Sequence, residues 1–282
     1  MIMLRKFFKK RTSKIIIILI LSIIALTQIF PILWLINYSL GTTQDIYSTV
    51  LFKIPDPLRW KNYVDAWVGG NIPHYLLNSV IVNAVVIIAV IYIALTVGYA
   101  CARMHWKLRG VVLILIMMGM LMPLYATLLP NYKIFNWLGI RNSYWGLIIP
   151  YTAFSMPLAV YIMTGFLKGI PTSLLESAVI DGCGTFRIIF QIITPLTKPA
   201  IVTFTVMTFL STWNEFIMAV LYLDGNTYRT LPFVIYAFKG LYTANIAVQF
   251  AVYVLAAIPS LIVYFVLNEQ ITKGVTAGAL KG

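Results

Sequence analysis

Long apolar runs dominate this chain and alternate with short polar segments. Six runs are long enough to cross a bilayer as helices, because the hydrocarbon core takes about 20 residues of helix. They cover Ile15–Tyr38, Tyr75–Ala102, Val111–Leu129, Tyr144–Phe166, Ala200–Leu223 and Ile246–Asn268. The pattern predicts an all-α integral membrane protein with six transmembrane helices.

The first run follows a cluster of Lys and Arg residues, as a secretory signal peptide would. Its apolar part is too long for a signal core and no small-residue cleavage site follows, so we expect a retained helix. Four runs contain prolines, among them Pro31, Pro123, Pro157 and Pro259. Prolines are tolerated in lipid because neighbouring groups satisfy the freed carbonyls, so kinked helices are expected.

Composition supports a membrane protein. Hydrophobic residues make up 61% of the 282 residues and charged residues 10%, against about a quarter charged in soluble chains. The net charge of +13 comes from bases at the ends of apolar runs. This placement indicates membrane topology rather than nucleic-acid binding. Cys101 and Cys183 form no disulfide or metal-binding pattern.

The Lys and Arg residues also predict orientation. With both termini in the cytoplasm, 14 bases lie on the cytoplasmic side and 7 outside, and cytoplasmic loops usually carry the excess. The predicted parts are a basic segment (1–14), a first helix with an outer loop (15–74), a five-helix core (75–269) and a cytoplasmic tail (270–282). Residues 168–198 then form a cytoplasmic loop, and aromatic residues in the outer loop favour a short helix or a partner contact.

Five polar or aromatic residues within the runs are candidates for a translocation path: Asn78, Asn83, Trp213, Asn214 and Glu215. An acid within a span is costly and usually faces a bundle interior or an aqueous path. The Trp213 ring can stack on a sugar, and Asn214 and Glu215 can bond hydroxyl groups. Alternatively, the two polar residues bond between helices, with Trp213 in the interfacial aromatic belt.

The cytoplasmic loop contains two of the chain's 8 acids, Glu176 and Asp181, with small residues between them and a glycine after them. A helical turn ending at Gly182 would form a compact knob that fits a partner's groove, because small side chains permit close approach and glycine permits a turn. An ordinary loop that caps the next helix is the alternative.

Missing motifs narrow the functional classes. The sequence has no GxxxxGK[ST] loop for binding ATP and no plausible catalytic set or metal cluster. We therefore expect a transport protein rather than an enzyme. A channel or secondary transporter remains possible, although neither a filter-like repeat nor an internal duplication is visible.

The cytoplasmic loop carries a resemblance to a known family. The inner-membrane permeases of carbohydrate ABC importers have an EAA loop, E-A-A-x-x-D-G-A, with a proline fourteen residues after the Asp and another four later. This chain resembles them in having Glu176, Ala178, Asp181, Gly182, Pro195 and Pro199 in that register, with Ser177 and Cys183 in place of alanines and Ile189 where phenylalanine is common.

The resemblance extends over nearly the whole chain. The segments 77–80 and 100–103 resemble the two ends of the conserved transmembrane block of the binding-protein-dependent transport inner-membrane family, and 213–216 and 230–232 resemble its sugar-transporting branch. The glycine-rich tail 274–282 is similar to that of maltose-type second permeases. The resemblance implies the type I ABC importer permease fold. The implied function is ATP-driven, alternating-access import of sugars or oligosaccharides across a prokaryotic inner or plasma membrane, with non-sugar ABC import as an alternative.

The resemblance also implies partners and residue roles. The expected partners are a companion permease (a heterodimer), two cytoplasmic ATPase subunits that bind ATP and Mg²⁺, and an extracytoplasmic solute-binding protein; this chain itself binds no cofactor. Glu176, with Ser177 and Ala178, would contact the ATPase, while Asp181 would shape the loop by bonding nearby backbone and Gly182 by its torsions. The tail, with Thr276 and Gly278, would reach the ATPase too.

Overall fold

The computed structural model describes the backbone of residues 2–47, 52–234 and 245–279, and side chains over 14–47, 52–234 and 245–266. Regular structure in these ranges is helical. The α-helices are α1 Ile2–Ser39, α2 Thr43–Ile46, α3 Lys61–Gly69, α4 Ile72–Arg103, α5 Arg109–Met118, α6 Leu128–Trp137, α7 Trp145–Lys168, α8 Thr172–Ile180, α9 Thr185–Arg187, α10 Thr194–Leu196, α11 Lys198–Trp213, α12 Ile217–Tyr222 and α13 Ile246–Ala279.

Four helices in the described ranges are long and apolar enough to cross a membrane: Lys14–Ser39, Ile72–Arg103, Trp145–Lys168 and Ile246–Val266. Two bent pairs add a further span each if each pair is counted as one. They are Arg109–Leu121 with Leu124–Trp137, bent by 96°, and Thr185–Leu196 with Lys198–Trp213, bent by 82°. The six predicted spans therefore correspond to four long helices and two bent pairs.

The third and fifth predicted spans are interrupted helices, and the kink expected at Pro123 in the third span is a full break. In Val111–Leu129 the helix tightens into a 3₁₀ turn at Gly119–Leu121, becomes extended at Met122 and Pro123, and resumes in a new direction. A proline lacks the N–H that would continue the helix, which accounts for the break. In Ala200–Leu223 the helix stops at Trp213 and restarts at Ile217.

The chain divides into two compact units. The first comprises residues 1–71 and 237–255. Within it, the ring of Trp34 on α1 packs at 5.4 Å from that of Phe250 on α13. In the predicted outer loop, α3 is the expected short helix, and the side-chain amide of the buried Asn62 donates to the carbonyl oxygens of Ser39 and Gly41. These bonds hold α3 against the end of α1.

A small capping motif completes the described part of this unit. Asp45 and Thr42 form a reciprocal capping box at the start of α2, and Lys53 pairs with the Asp45 carboxylate at 3.0 Å. The bonds from the Thr42 hydroxyl and backbone, followed by Lys53, lower the pKa of Asp45 to about 2. The carboxylate is therefore held ionised.

The second unit comprises residues 72–236 and 256–282, and close packing of α4 on α7 is its centre. Gly98 on α4 faces the buried Met163 on α7; a Cβ atom at Gly98 would lie 2.9 Å from the Met163 Cγ atom. Glycine is thus required for the approach of the two helices. Their buried residues continue into one apolar core that includes Phe204 on α11 and Tyr222 on α12.

Both ends of the chain are more helical than the predicted division implies. The basic segment is continuous with the first span as α1 from Ile2, and the tail is continuous with the last span as α13 to Ala279. For Thr276 and Gly278 only the helical backbone is described, so their side chains lie outside the described set. The role of the tail stays a prediction.

Candidate functional site: the 172–183 knob and a cavity between helices

Helix α8 is the predicted knob, and it is longer than the turn expected from the sequence. It begins after Pro171 and ends at Ile180, with Gly182 at φ 80°. The Gly182 N–H donates to the Val179 carbonyl at 3.0 Å, and the Cys183 N–H donates to the Ala178 carbonyl at 2.9 Å. These two bonds form a Schellman motif, in which a left-handed residue closes the helix end. Gly182 adopts the torsion that the turn requires.

One face of the knob is buried and the rest of its surface is exposed. Leu175 and Ala178 are buried in the core of the second unit. Glu176 lies on the exposed side, and its carboxylate has no hydrogen-bond or ion-pair partner among the described residues. Ile180, one turn after Glu176, is 84% exposed, and Phe186 in α9 is 67% exposed. Large exposed apolar side chains next to an unpaired acid are typical of a docking surface.

Asp181 does not play the expected shaping role through its side chain. Its backbone N–H donates to the Ser177 carbonyl at 2.9 Å, but its exposed carboxylate makes no hydrogen bond among the described residues. Helix α8 already ends through backbone bonds at Gly182, which leaves the Asp181 side chain free to face outward. Among the described residues, Asp181 therefore bonds nearby backbone through its own N–H and not through its carboxylate.

The chain after the knob turns sharply into α11. Residues Ile188–Ile193 form a π-helix, with the buried Ile189 at the position where the resemblance expects phenylalanine. The Thr194 hydroxyl donates to the Ile189 carbonyl at 2.9 Å. Pro195 and Pro199 flank the 82° bend, and neither has a backbone N–H to donate to a regular helix. Isoleucine thus fills the buried position.

A cavity of about 300 Å³ lies between α7 and α11 in the second unit. Its walls are mainly apolar and aromatic, with a few hydroxyls and one carboxylate. The lining residues are Leu124, Tyr151, Phe154, Ser155, Leu158, Ala159, Phe204, Met207, Thr208, Ser211, Thr212 and Glu215. An apolar pocket with a few oriented polar groups is the usual form of a small-molecule site.

Glu215 is at the helix break and has defined partners. The Tyr151 hydroxyl donates to its Oε2 atom at 2.7 Å, and the Met218 backbone N–H donates to Oε1 at 2.9 Å. The carboxylate therefore satisfies an orphan N–H at the start of α12, where the helix dipole favours negative charge. It also borders the cavity, so the structural and path interpretations of this residue are compatible.

The neighbours of Glu215 face elsewhere. Trp213 is 4% exposed, stacks on Phe209 with ring centroids 5.0 Å apart, and does not line the cavity. Asn214 is exposed, and its side-chain amide donates to the Leu210 carbonyl at 2.8 Å. Stacking of Trp213 on a sugar stays a prediction, since in this conformation its ring is covered.

The two asparagines on α4 are buried and bonded within the unit. The Asn78 side chain donates to the carbonyls of Thr227 and Arg229, at 2.9 Å each, and accepts from the Tyr144 hydroxyl at 2.8 Å. Asn83 accepts from the Thr212 hydroxyl at 2.5 Å. Asn78 thus fastens a loop to α4 and α7, and Asn83 joins α4 to α11.

Sequence reasoning missed Tyr151, Thr212 and Arg103. Tyr151 and Thr212 lie within apolar runs and carry no motif of their own, so only the fold reveals their bonds to Glu215 and Asn83. From the sequence, Arg103 counts as one of the 14 cytoplasmic bases and as the end of the segment 100–103, without a bonding role. Its position directly after a long apolar run was a usable signal, because a base there often caps helix ends. Within the described ranges no cluster of His, Cys, Asp and Glu fits a metal ion.

The comparison with known families decides the identity. Residues 94–277 match the family described as "Binding-protein-dependent transport system inner membrane component". The chain belongs to this family. The match covers more than half of the chain and includes α8 and the residues that line the cavity. The prediction of a transport protein rather than an enzyme is confirmed.

Relatives along the full length support the assignment of this permease. It is 31% identical to the "Probable ABC transporter permease protein YurM" of Bacillus subtilis over 99% of this chain and 91% of that protein. It is 30% identical to the "Sulfoquinovosyl glycerol transport system permease protein SmoH" of Agrobacterium fabrum over 93% and 92%. The permease is therefore similar to ABC transporter subunits from end to end.

A solved structure bears out the fold. A chain of a bacterial ABC transporter involved in the import of the acidic polysaccharide alginate superposes with a TM-score of 0.78, covering 92% of the permease and 96% of that chain. The identity is 23%, so this likeness concerns the fold alone. The predicted ABC importer permease fold is confirmed.

Proposed function

We propose that this permease forms half of the membrane path of an ATP-driven importer for sugars or oligosaccharides. Its partners would be a different companion permease, two cytoplasmic ATPase subunits that bind Mg²⁺ and ATP, and an extracytoplasmic binding protein. Support for a sugar comes from relatives named for sugar uptake, including a diacetylchitobiose permease and a melibiose/raffinose/stachyose permease. The excess of Lys and Arg supports α8 on the cytoplasmic side of a prokaryotic inner or plasma membrane.

One observation supports the proposal most directly. Helix α8 is largely exposed and presents the acid Glu176, while its buried face packs in the core and backbone bonds fix its C-terminal end. The Schellman motif at Gly182 defines the shape of this end, and Glu176 is available to pair with a base on another protein. A helix held in this way can move as a unit when a partner displaces it. Closure of the ATPase subunits would then bias the bundle between two states.

The cavity beside Glu215 gives the path a plausible lining. Its lining includes the hydroxyl-bearing residues Ser155, Thr208 and Ser211 together with the aromatic residues Tyr151 and Phe154. Sugars present hydroxyl groups at their edges and C–H groups on their faces, so such a mixed wall suits them. Asn78, Asn83 and Trp213 would stabilise the helices and loop around the path without contacting the solute.

The test is charge reversal of Glu176 in the reconstituted complex with all partner subunits. Glu176→Lys should abolish ATPase binding or ATP-driven uptake, because leaving a buried charge without its partner costs about 3–5 kcal/mol. Uptake into proteoliposomes is measured with maltose, an alginate oligosaccharide and glycerol 3-phosphate. Asp65→Lys makes the same charge change at an exposed acid of α3 and should leave ATPase binding at the wild-type level.

The outcomes separate the alternatives. ATP-driven import of either sugar supports the proposal, whereas import of glycerol 3-phosphate alone indicates a non-sugar ABC importer. Solute flux through the purified single chain without ATP indicates a channel or secondary transporter. Normal uptake with Glu176→Lys would exclude coupling through this residue.

A further inference from the structure

Arg103, the last residue of α4, reaches across to the segment that leads into α8. Its Nη2 atom donates to the carbonyl oxygens of Leu167 and Ile170. Leu167 is in the last turn of α7, and Ile170 lies between α7 and α8. One side chain therefore links the ends of two long helices to the start of the knob.

The two carbonyls need such a donor. The last carbonyls of a helix have no partner within the helix, and the dipole makes this end negative. The Leu167 side chain is fully buried, so water has little access around it. A guanidinium group supplies several donors with a fixed geometry and remains charged at any physiological pH. Arg103 thus caps α7 from a neighbouring helix.

Close packing makes α4 and α7 move together near this contact. Gly98 is five residues before Arg103 and packs directly against Met163, which is four residues before Leu167. The buried Leu95 and Ala94 continue the same contact surface on α4. Because close-packed interiors transmit displacement rather than absorb it, the position of α4 and α7 fixes the position of the carbonyls that Arg103 holds.

We propose that Arg103 is the positioning residue that makes α8 and α4 move as one body. By holding the Ile170 carbonyl, it prevents the 169–171 segment from acting as a free hinge. Displacement of α8 then tilts α4 and α7 instead of bending this segment. The role in transport rests on the proposed function of α8, whereas the tether itself is a property of this chain.

The tether is tested with spin labels on α4 and α8 in the purified complex. The native cysteines are replaced by alanine, and Ile88→Cys and Ser173→Cys provide exposed labelling sites. Pulsed electron paramagnetic resonance should give a narrow distance distribution with Arg103 and lose that narrow peak with Arg103→Ala. Arg103→Lys retains a charged donor and should recover most of it.

Lys168→Ala is the matched control, because Lys168 is an exposed base at the same helix end and has no partner in the described structure. It should leave the distribution narrow. An unchanged distribution with Arg103→Ala, or equal broadening with Lys168→Ala, would overturn the proposal. If Arg103→Ala does not fold, a narrow peak in Arg103→Lys supports the tether and a broad peak overturns it.

Coupling is tested in the same complexes with whichever of the three solutes the wild type imports. Solute imported per ATP hydrolysed should fall about 5- to 150-fold with Arg103→Ala, the range that coupling between two sites usually spans. A purely structural role would instead lower uptake and ATP hydrolysis in parallel, and that result would overturn the coupling role. The label distances decide the tether even if the wild type imports none of the solutes, so failure of the proposed function is recognised separately.

Discussion

Gly182 has φ 80° at the end of α8, and no neighbouring atom lies within 4 Å of where a Cβ would be. The requirement for glycine at this position therefore comes from the backbone conformation and not from a lack of space for a side chain. Left-handed torsions cost L-residues about 1–2 kcal/mol because Cβ approaches the following carbonyl oxygen. The shape of the knob depends on this one residue.

Gly182→Ala should fray the last turn of α8. A change of 1–2 kcal/mol alters the population of a conformation about 5- to 30-fold, so amide hydrogen exchange at residues 182 and 183 should accelerate by about that factor. Gly184→Ala is the control, because Gly184 has φ −71° and open space around it. Equal exchange in both variants would contradict the assigned role of Gly182.

Tyr151→Phe should destabilise the second unit. It removes the hydroxyl that donates to the Glu215 carboxylate at 2.7 Å, and loss of a hydrogen bond to a charged group costs about 1.5–3 kcal/mol. The free energy of unfolding is measured in mixed detergent micelles. Tyr161→Phe, at a ring that is 52% exposed, should have little effect, and equal stability of the two variants would rule out a stabilising bond between Tyr151 and Glu215.

At the element scale, the close approach of α4 and α7 requires a glycine in addition to apolar side chains. Gly98→Ala would place a Cβ 2.9 Å from the Met163 Cγ atom, and overpacking of this kind typically costs about 1–3 kcal/mol. We expect a lower melting temperature in detergent. Gly165→Ala on α7 adds the same methyl group in open space and should melt like the wild type; equal melting of Gly98→Ala would contradict the packing argument.

The same scale shows where sequence reasoning was limited. Apolar run length predicted the long helices well, because the hydrocarbon core sets a minimum length for any span. It did not predict the interruptions at Pro123 and at Asn214–Phe216. A proline within a run indicates a kink but gives no angle. At the break near Glu215, the carboxylate accepts a hydrogen bond from Tyr151, which is far away in sequence.

At the scale of the whole molecule, the distribution of bases predicts that both termini and α8 lie in the cytoplasm. Single cysteines at the exposed positions Ser173 and Thr227, in a background without Cys101 and Cys183, test this. In intact cells a membrane-impermeant maleimide should label Thr227→Cys at once and Ser173→Cys only after permeabilisation. The reverse pattern would show the opposite orientation.

The sequence by itself determined that this protein resides in a membrane, and it predicted that the helical turn after Glu176 ends at Gly182. Both follow from local properties, namely the length of apolar runs and the torsional freedom of glycine. Only the tertiary structure decided that Asn78 and Asn83 fasten helices, that Glu215 caps α12 beside a cavity, and that Arg103 holds the entry to α8. These roles depend on hydrogen-bond partners from distant segments, which only folding brings together.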